Sequence, residues 1–445
     1  MKLFGTDGIR GTANRYPITP EMALRLGKAA ALVFSKGRKR PKILIGKDTR
    51  ISGYILESAL TSGICSMGAD ALLVGPMPTP AISFLTVNAK AAAGIVISAS
   101  HNPAEDNGIK FFSSKGGKLP ENVEQEIEHL ALQDSLESTV SARDLGKAYR
   151  LDDARLHYIS LAKSSIKIRL SGLRIVIDCA NGAAYSVAPA VLKQLGATVI
   201  PINNSPDGLN INLNCGALHP EAMRKAVKKY KADAGIALDG DADRVIMADE
   251  KGRILDGDDI LALCALRMKQ ENKLRKNMVV ATVMTNLGIE ESLWNQGITM
   301  LRTKVGDKYV AEQLHLKKLS LGGEQAGHII MPGINPTGDG LIAALQVLGI
   351  MKSSRKPLSM LAQFQKYPQI LVNVKVREKK DFESIPKVYN SIRQAQQALG
   401  SSGRVLVRYS GTENLARVMV EGKDKLQIKR AAESIAGEIK AALGV

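Results

Sequence analysis

Three aspartates stand at a spacing of two in Asp239-Gly240-Asp241-Ala242-Asp243-Arg244. Carboxylates packed so closely repel one another unless a cation sits among them. With glycine between the first pair, the chain can bend round one hard, oxygen-seeking ion. The same spacing raises an EF-hand, since Glu250 falls at the twelfth position from Asp239. The sixth position, however, is Arg244, where that loop needs glycine, and the flanks AGIAL and VIMA read as strands rather than helices. The EF-hand is therefore rejected. A metal site at Asp239, Asp241 and Asp243 is favoured over a solvated acidic turn, because its approach strand is apolar.

Four further segments carry polar groups in usable arrangements. In Ser98-Ala99-Ser100-His101-Asn102-Pro103, the proline drives Asn102 out of the helical region and makes a turn, leaving Ser100 at a strand end. A serine hydroxyl is a poor nucleophile until something activates it. Adjacency to His101 does not by itself make a Ser–His pair, so an ordinary Ser/Asn/Pro turn stands beside the catalytic reading. In Gly322-Gly323-Glu324-Gln325-Ala326-Gly327-His328, glycines open the backbone, and Glu324 and His328 suit sugar hydroxyls and proton relay. A strand-end turn with a surface histidine fits equally. Arg408-Tyr409-Ser410-Gly411-Thr412-Glu413-Asn414, with Arg417 beyond, offers guanidinium, hydroxyls and free N–H groups to a dianionic phosphate, or is a polar hairpin turn. The opening Gly5-Thr6-Asp7-Gly8-Ile9-Arg10-Gly11 reads as a tight loop with Arg10 facing an anion, or as a flexible terminus.

The elements that must position these residues alternate between short apolar runs and helical patterns, which argues for α/β layers. Strands are expected at Lys42 to Asp48, Ala71 to Val74 and Gly94 to Ser98, with a helix from Ile51 to Met67. After a charged stretch at 134–155 the pattern restarts. A strand at Leu173 to Cys179 leads to a helix ending near Gly196, and a strand at Ala234 to Leu238 runs into DGDADR. A third round has a helix at 258–272 and strands at Val279 to Met284 and Met300 to Val305. The end is a βαββα unit: Ile370 to Val376, a long helix from Phe382 to Leu399, Val405 to Tyr409, Ala416 to Val420 and a last amphipathic helix. The expected fold is three α/β domains and one smaller C-terminal α+β domain. In open α/β sheets ligands bind beyond the carboxyl ends of the strands, so the loops are expected to line one cleft.

Composition narrows the function classes. The 445 residues leave room for two to four domains, and 45% apolar content suffices for their cores. The net charge of +18 suits nucleic acid, a membrane surface or small anions. Aromatic content of only 4% argues against stacking on bases, and the densest basic run, Arg224 to Lys231, reads as one solvated helix face. Cys65, Cys179, Cys215 and Cys264 are too scattered for a zinc or redox motif and read as small buried hydrophobes. No stretch is long and apolar enough to span a bilayer, and MKLFGTDGIRG lacks a signal peptide's apolar run, so a reducing cytoplasm is expected.

Taken together and in order, KLFGTDGIRG, SASHNP, DGDADR, GEQAGH and RYSGTEN resemble the α-D-phosphohexomutase superfamily across the whole chain. The first of these, with GEQ and RxSGTE, most resembles its branch acting on amino-sugar phosphates rather than the mannose- and glucose-phosphate branches, which remain the alternative. The resemblance implies four domains round one cleft: a phosphoserine domain at 1–153, a metal-binding domain at 154–254, a sugar-recognition domain at 255–367 and a phosphate-binding domain at 368–445. It implies an isomerase that interconverts glucosamine 6-phosphate and glucosamine 1-phosphate through glucosamine 1,6-bisphosphate, supplying precursors for the cell wall. Ser100 would carry the phosphoryl group, with His101 beside it. Asp239, Asp241 and Asp243 would bind Mg²⁺ together with an oxygen of the Ser100 phosphate. Arg10, Lys110 and Arg244 would neutralise developing charge. Lys304 and His328 would lie beside the sugar, with His328 or Lys110 as proton-transfer candidates, and Glu324 would hold hydroxyls. Arg408, Ser410, Gly411, Thr412 and Arg417 would hold the non-reacting phosphate. The partner would be a phosphorylated amino sugar, with no nucleic acid and no membrane, in a monomer or homodimer. Two positions depart from the family pattern: Ala326 stands where serine is usual, and Tyr409 where lysine or proline is common. The rivals from other classes are a metal-dependent phosphatase with a carboxylate nucleophile in DGDADR, and a basic nucleic-acid-binding protein.

Overall fold

The computed structural model describes residues 3–5, 7–36, 40–133, 136–137, 140–410 and 414–445. Backbone packing divides the chain into two units, 1–284 with 297–363, and 285–296 with 364–445.

The first unit holds three α/β domains with mixed sheets. In the first are β1 (Ile9–Thr12), α1 (Pro20–Ser35), β2 (Lys42–Lys47), α2 (Ser52–Ser66), β3 (Asp70–Pro76), α3 (Thr79–Asn88), β4 (Ala93–Ile97), β5 (Asp106–Ser113), α4 (Glu121–Ala131) and β6 (Ala148–Arg150). The sheet order is β1-β5-β4-β2-β3-β6. Strands β2, β3, β4 and β6 run parallel, while β5 is antiparallel to both β4 and β1. The parallel strands are continuous apolar runs because helices cover them, as KILIGK and AGIVI show. Thr19 caps α1, its Oγ1 accepting from the Met22 N–H at 3.3 Å, and Pro20 follows where the helix needs no donor.

The second domain comprises α5 (Ala154–Ser164), β7 (Arg174–Asp178), α6 (Val187–Gln194), β8 (Thr198–Ile202), α7 (Glu221–Tyr230), β9 (Ala234–Leu238), β10 (Val245–Asp249) and β11 (Ile254–Leu255), with sheet order β11-β10-β9-β7-β8. The third adds α8 (Gly257–Gln270), β12 (Met278–Thr282), then, beyond α9 (Leu287–Trp294), β13 (Thr299–Thr303), α10 (Asp307–Lys317), β14 (Gly322–Gly323), β15 (Ile329–Met331), β16 (Asn335–Gly338), α11 (Gly340–Ser354) and α12 (Leu358–Leu361). Its sheet order is β13-β12-β14-β15-β16.

One connection recurs in all three sheets. A parallel strand ends, a short polar loop follows, and the chain returns as an antiparallel strand: β4 to β5, β9 to β10 and β14 to β15. These loops are the SASHNP, DGDADR and GEQAGH segments. The expected strands ending near Ser98 and Leu238 lead into the first two, whereas β14, which leads into the third, and the returns β5 and β15 were not among the expected elements. In the N-terminal segment the Gly5 N–H donates to the Gly8 carbonyl at 2.9 Å, closing a tight loop as expected, and the chain then continues as strand β1, which pairs Ile9 with Ile109 and Arg10 with Gly108.

The second unit is a small α+β domain: β17 (Gln369–Lys375), α13 (Pro386–Leu399), β18 (Gly403–Tyr409), β19 (Leu415–Gly422) and α14 (Lys425–Leu443), with antiparallel order β17-β19-β18. The βαββα order is as expected. The first helix is shorter than expected, because Pro386 holds Ile385 extended at φ −109°, ψ 98° and splits Phe382–Ser384 off as a 3₁₀ turn. Helix α9 also packs in this unit, its Leu287 N–H donating to the buried Glu421 Oε1 at 3.0 Å.

Candidate active site

The serine loop is held before any ligand enters. Ser98 Oγ donates to Asp48 Oδ2 at 2.6 Å and accepts from the Ser100 N–H at 2.9 Å. Ser100 sits at φ +54°, a left-handed conformation that costs a non-glycine residue roughly 1–2 kcal/mol. That turn aims its hydroxyl at the metal loop, where Oγ donates to Asp239 Oδ2 at 2.7 Å. His101 Nδ1 lies 3.3 Å from the same oxygen and 3.0 Å from Arg244 Nη1. Burial first, then Arg244 and Arg10, lower the His101 pKa to about 4. The imidazole is thus neutral, and its Nδ1 lone pair faces the Arg244 guanidinium.

Strand β9 delivers Asp239, Asp241 and Asp243, all buried, with one oxygen of each within 4.8 Å of the others. Asp241 Oδ1 and Asp243 Oδ1 have no hydrogen-bond partner among the described residues. Buried carboxylate oxygens left without donors are costly, and three converging on one point fit a hard divalent cation. Burial, then Asp243 and Asp241, push the Asp239 carboxyl well up. Burial also acts to raise Asp243, but His328, Lys110 and Arg244 reverse this and hold it below the usual carboxylate range.

Cations ring these carboxylates. Lys110, on β5, places Nζ 2.9 Å from Asp241 Oδ2 and 3.1 Å from Asp7 Oδ2. Burial opposes its charge, yet Asp241, Asp7 and Asp243 hold it protonated far above the ordinary lysine range. Arg10, on β1, pairs with Asp7 and donates to the Ala99 carbonyl at 3.4 Å. His328 Nδ1 is 3.7 Å from Asp243 Oδ2, and its Nε2 is 3.5 Å from Asp307 Oδ2. Burial works to lower the His328 pKa, but Asp243, Asp307 and Glu324 raise it to about 9. Glu324 Oε1 accepts from the Gly306 N–H at 3.0 Å, and burial raises its carboxyl. Lys304 is exposed just beyond β13.

Backbone contacts tie the metal loop to α3, to the GEQAGH loop and to α11. The Thr79 N–H donates to the Asp241 carbonyl at 2.9 Å, Val245 N–H to Gly327 at 3.1 Å, and Gly340 N–H to Ala242 at 3.0 Å. Gly240 is needed where the metal loop meets the serine loop, since a Cβ there would lie 2.6 Å from the Ser100 carbonyl oxygen.

Several participants escaped sequence reasoning. Thr79 donates to Asp241 Oδ2 at 2.7 Å. Lys118 bridges Asp7 Oδ1 at 2.8 Å and Asp307 Oδ1 at 2.7 Å, linking the first domain to the third. Asn212 and the buried Arg50 hold the serine loop from below. Asp7 lay inside a segment already singled out, GTDGIRG, and Asp307 three residues beyond Lys304, whereas Lys118 carried no local signal.

In the second unit, Arg408 on β18 is the register partner of Arg417 on β19. Like charges directly opposite are unfavourable unless an anion joins them. Burial, then Arg417, lower the Arg408 pKa. Ser410 is buried, and its carbonyl accepts from Lys379 Nζ at 2.8 Å. Gly411 and Thr412 lie outside the described residues.

Comparison with known proteins draws on both sequence and shape. Family models for phosphoglucomutase/phosphomannomutase match as alpha/beta/alpha domain I at residues 1–137, domain II at 156–252, domain III at 256–367 and the C-terminal domain at 371–438. The phosphoglucosamine mutase of Geobacter metallireducens is 54% identical over 447 residues, covering 100% of this chain and 99% of its own. The chain belongs to the phosphoglucosamine mutase family. That of Anaeromyxobacter sp. is 54% identical over 451 residues, covering 100% of this chain and 96% of its own. In shape the chain is similar to a phosphoglucomutase/phosphomannomutase family protein from Burkholderia thailandensis, at TM-score 0.83 and 22% identity over 100% of this chain and 99% of that one. It is also similar to Aspergillus fumigatus N-acetylphosphoglucosamine mutase in complex with GlcNAc-6P and magnesium, at TM-score 0.70 and 19% identity over 100% and 96%. At those identities the structures speak for the fold alone. Membership makes this chain an enzyme, a phosphomutase of the isomerase class, with an aspartate group suited to a metal ion. Among the described residues no helix is long and apolar enough to cross a membrane.

Proposed function

We propose that the protein interconverts glucosamine 6-phosphate and glucosamine 1-phosphate by passing a phosphoryl group through Ser100. The observation that carries this reading is the Ser100 hydroxyl, 2.7 Å from Asp239 within the three-aspartate cluster. In the first half-reaction, the sugar's 1-hydroxyl takes the phosphoryl group from phosphorylated Ser100, giving glucosamine 1,6-bisphosphate. In the second, the 6-phosphoryl group moves to Ser100 Oγ and glucosamine 1-phosphate leaves. Each half exchanges one phosphoryl group for one proton between Ser100 Oγ and a sugar oxygen, so no co-substrate is consumed.

Asp239, Asp241 and Asp243 would hold Mg²⁺, which when bound supplies positive charge beside the transferring group. The chain supplies the rest. Phosphoryl transfer passes through a loose, highly charged transition state, so positioning and charge matter most. Lys110, Arg244, Arg10 and His328 provide that charge, and the protonated His328 offers its Nε2 proton to a sugar oxygen. His101, neutral and facing Arg244, positions rather than takes a proton. Glu324 holds sugar hydroxyls, with Lys304 beside the sugar. Arg408, Ser410, Gly411, Thr412 and Arg417 bind the non-reacting phosphate. We assign the phosphoserine, metal, sugar and phosphate roles to 1–153, 154–254, 255–367 and 368–445, in a cytoplasmic monomer or homodimer.

The test is a mutase assay of the Mg²⁺-loaded protein on glucosamine, glucose and mannose phosphates, with intact-mass analysis for one added phosphate. Isomer formation fastest on glucosamine phosphate, with the phosphate lost in Ser100→Ala, supports the reading. Phosphate release without isomer product supports a phosphatase instead.

A further inference from the structure

Arg50 is 0% exposed and lies outside every motif assigned above. All five of its guanidinium N–H donors are used. Nε donates to Asp48 Oδ2 at 2.8 Å. Nη2 donates to the carbonyls of Ser100 at 3.1 Å and Asn102 at 2.8 Å. Nη1 donates to the carbonyl of Asp106 at 2.9 Å and to that of Pro103. Three of the five bonds therefore end on the backbone of the loop that carries Ser100, and a fourth on the first residue of β5. Asp48 neutralises the guanidinium and, through Ser98, fixes the Ser100 N–H. From the second domain, Asn212 Nδ2 reaches the same two carbonyls, Ser100 and Asn102, at 2.9 Å each.

A core arginine kept only for packing does not need four of its five donors spent on one loop and the strand it enters. Nor does a simple turn need a rigid fork beneath it, since turns close with one backbone hydrogen bond. What does need such a cage is a nucleophile held in a left-handed conformation while a charged group arrives and leaves at its oxygen. We infer that Arg50, with Asp48 and Asn212, is a positioning residue for the Ser100 nucleophile: it clamps the loop carbonyls so that Oγ keeps one place in both half-reactions. This rests on Ser100 being the phosphoryl carrier, as proposed above.

Lysine keeps the charge but offers only three donors from a point, so Arg50→Lys must abandon part of the cage. On glucosamine 6-phosphate, Arg50→Lys is expected to lower kcat on the order of a hundredfold, the scale of a small misplacement of reacting groups. KM and the Mg²⁺ concentration for half-maximal activity should stay within about twofold, because a lost transition-state alignment lowers kcat without weakening ground-state binding. The ³¹P resonance of phosphorylated Ser100 should broaden as the loop loosens. Asn212→Ala, which removes a contact to the same carbonyls without touching a buried charge, should lower kcat roughly tenfold with a modest fall in melting temperature, since Asn212 sits at φ +60°, and it decides the matter if Arg50→Lys does not fold. Unchanged kcat in either folded variant, or a raised KM with kcat intact, overturns the inference. A parent protein with neither phosphoserine nor mutase activity overturns the proposed function and the inference with it, whereas an active, phosphorylated parent with unaffected variants overturns the inference alone.

Discussion

The Ser100 hydroxyl illustrates how much one dihedral angle decides. At φ +54° it meets Asp239, and an extended residue there would point elsewhere. Ser100→Ala should therefore abolish turnover and phosphorylation while leaving the melting temperature within a degree or two, since no large group is removed. Near-parental isomerase activity in that variant would falsify the phosphoserine route. Exhaustive chelation should stop turnover and Mg²⁺ should restore it, because oxygen-only ligands suit that ion. Asp241→Asn should lower metal affinity and rate together, as read by Mg²⁺ titration of activity. The three aspartates were legible in the sequence because adjacent, evenly spaced carboxylates have few peaceful explanations. Lys118 was not, since a lone lysine in SSKGGKLP gains meaning only when Asp7 and Asp307, 111 and 189 residues away in the chain, close on it.

Asp339 shows that an element's cap can carry a pH dependence. It caps α11, accepting from the Ile342 N–H at 2.9 Å, and also accepts from Tyr158 Oη at 3.0 Å and Asn335 Nδ2 at 3.1 Å. Burial outweighs those donors and raises its pKa from 3.8 to about 6. The folded state thus binds the proton more tightly than the unfolded chain. This contribution to stability is full below about pH 4 and is lost as pH rises to about 6, up to about 3 kcal/mol at 1.36 kcal/mol per unit. Urea denaturation across that window should show a steeper slope in the parent than in Asp339→Asn, which keeps an Asn cap. If the two proteins have parallel profiles, the carboxyl titrates normally. On the smaller sheet, Arg408→Ala should cut kcat/KM on glucosamine phosphates by a hundredfold or so, the range of a charge-assisted phosphate contact of about 2–3 kcal/mol, and barely move the melting temperature. Unchanged kcat/KM would reduce that hairpin to a turn. The order of elements was legible because apolar runs and helical periods survive locally. The antiparallel returns β5 and β15 were harder to read: β15 has only three residues, β5 opens on polar ones, and the direction of each depends on which neighbour it pairs with.

For the molecule as a whole, all four cysteines fall in the first unit, and Cys179, Cys215 and Cys264 are buried. Burial pushes the Cys264 thiol up to about 12, and burial with Asp178 does the same for Cys215. Because the thiolate is the reactive form, a maleimide at pH 8 should label at most the half-buried Cys65 in the native protein and all four after denaturation. Rapid native labelling of more than one site would show that this unit opens readily. The three switch hairpins, in which a parallel strand turns back antiparallel, have a consequence for how the protein can change. Each loop is anchored by its own sheet register on both sides, so a residue at its tip that touches neither neighbouring loop can be rewritten without disturbing the other two. Ala326 lies exposed at such a tip. Ala326→Ser should raise kcat/KM for glucosamine phosphate no more than five- to tenfold, the worth of one neutral hydrogen bond, and leave the Mg²⁺ requirement alone. Substrate preference is thereby separable from phosphoryl chemistry only at the tip: changes confined to Gln325 and Ala326 should retune which sugar is accepted, whereas Gly327 and His328, which touch Val245 and Asp243, cannot change without disturbing the aspartate loop.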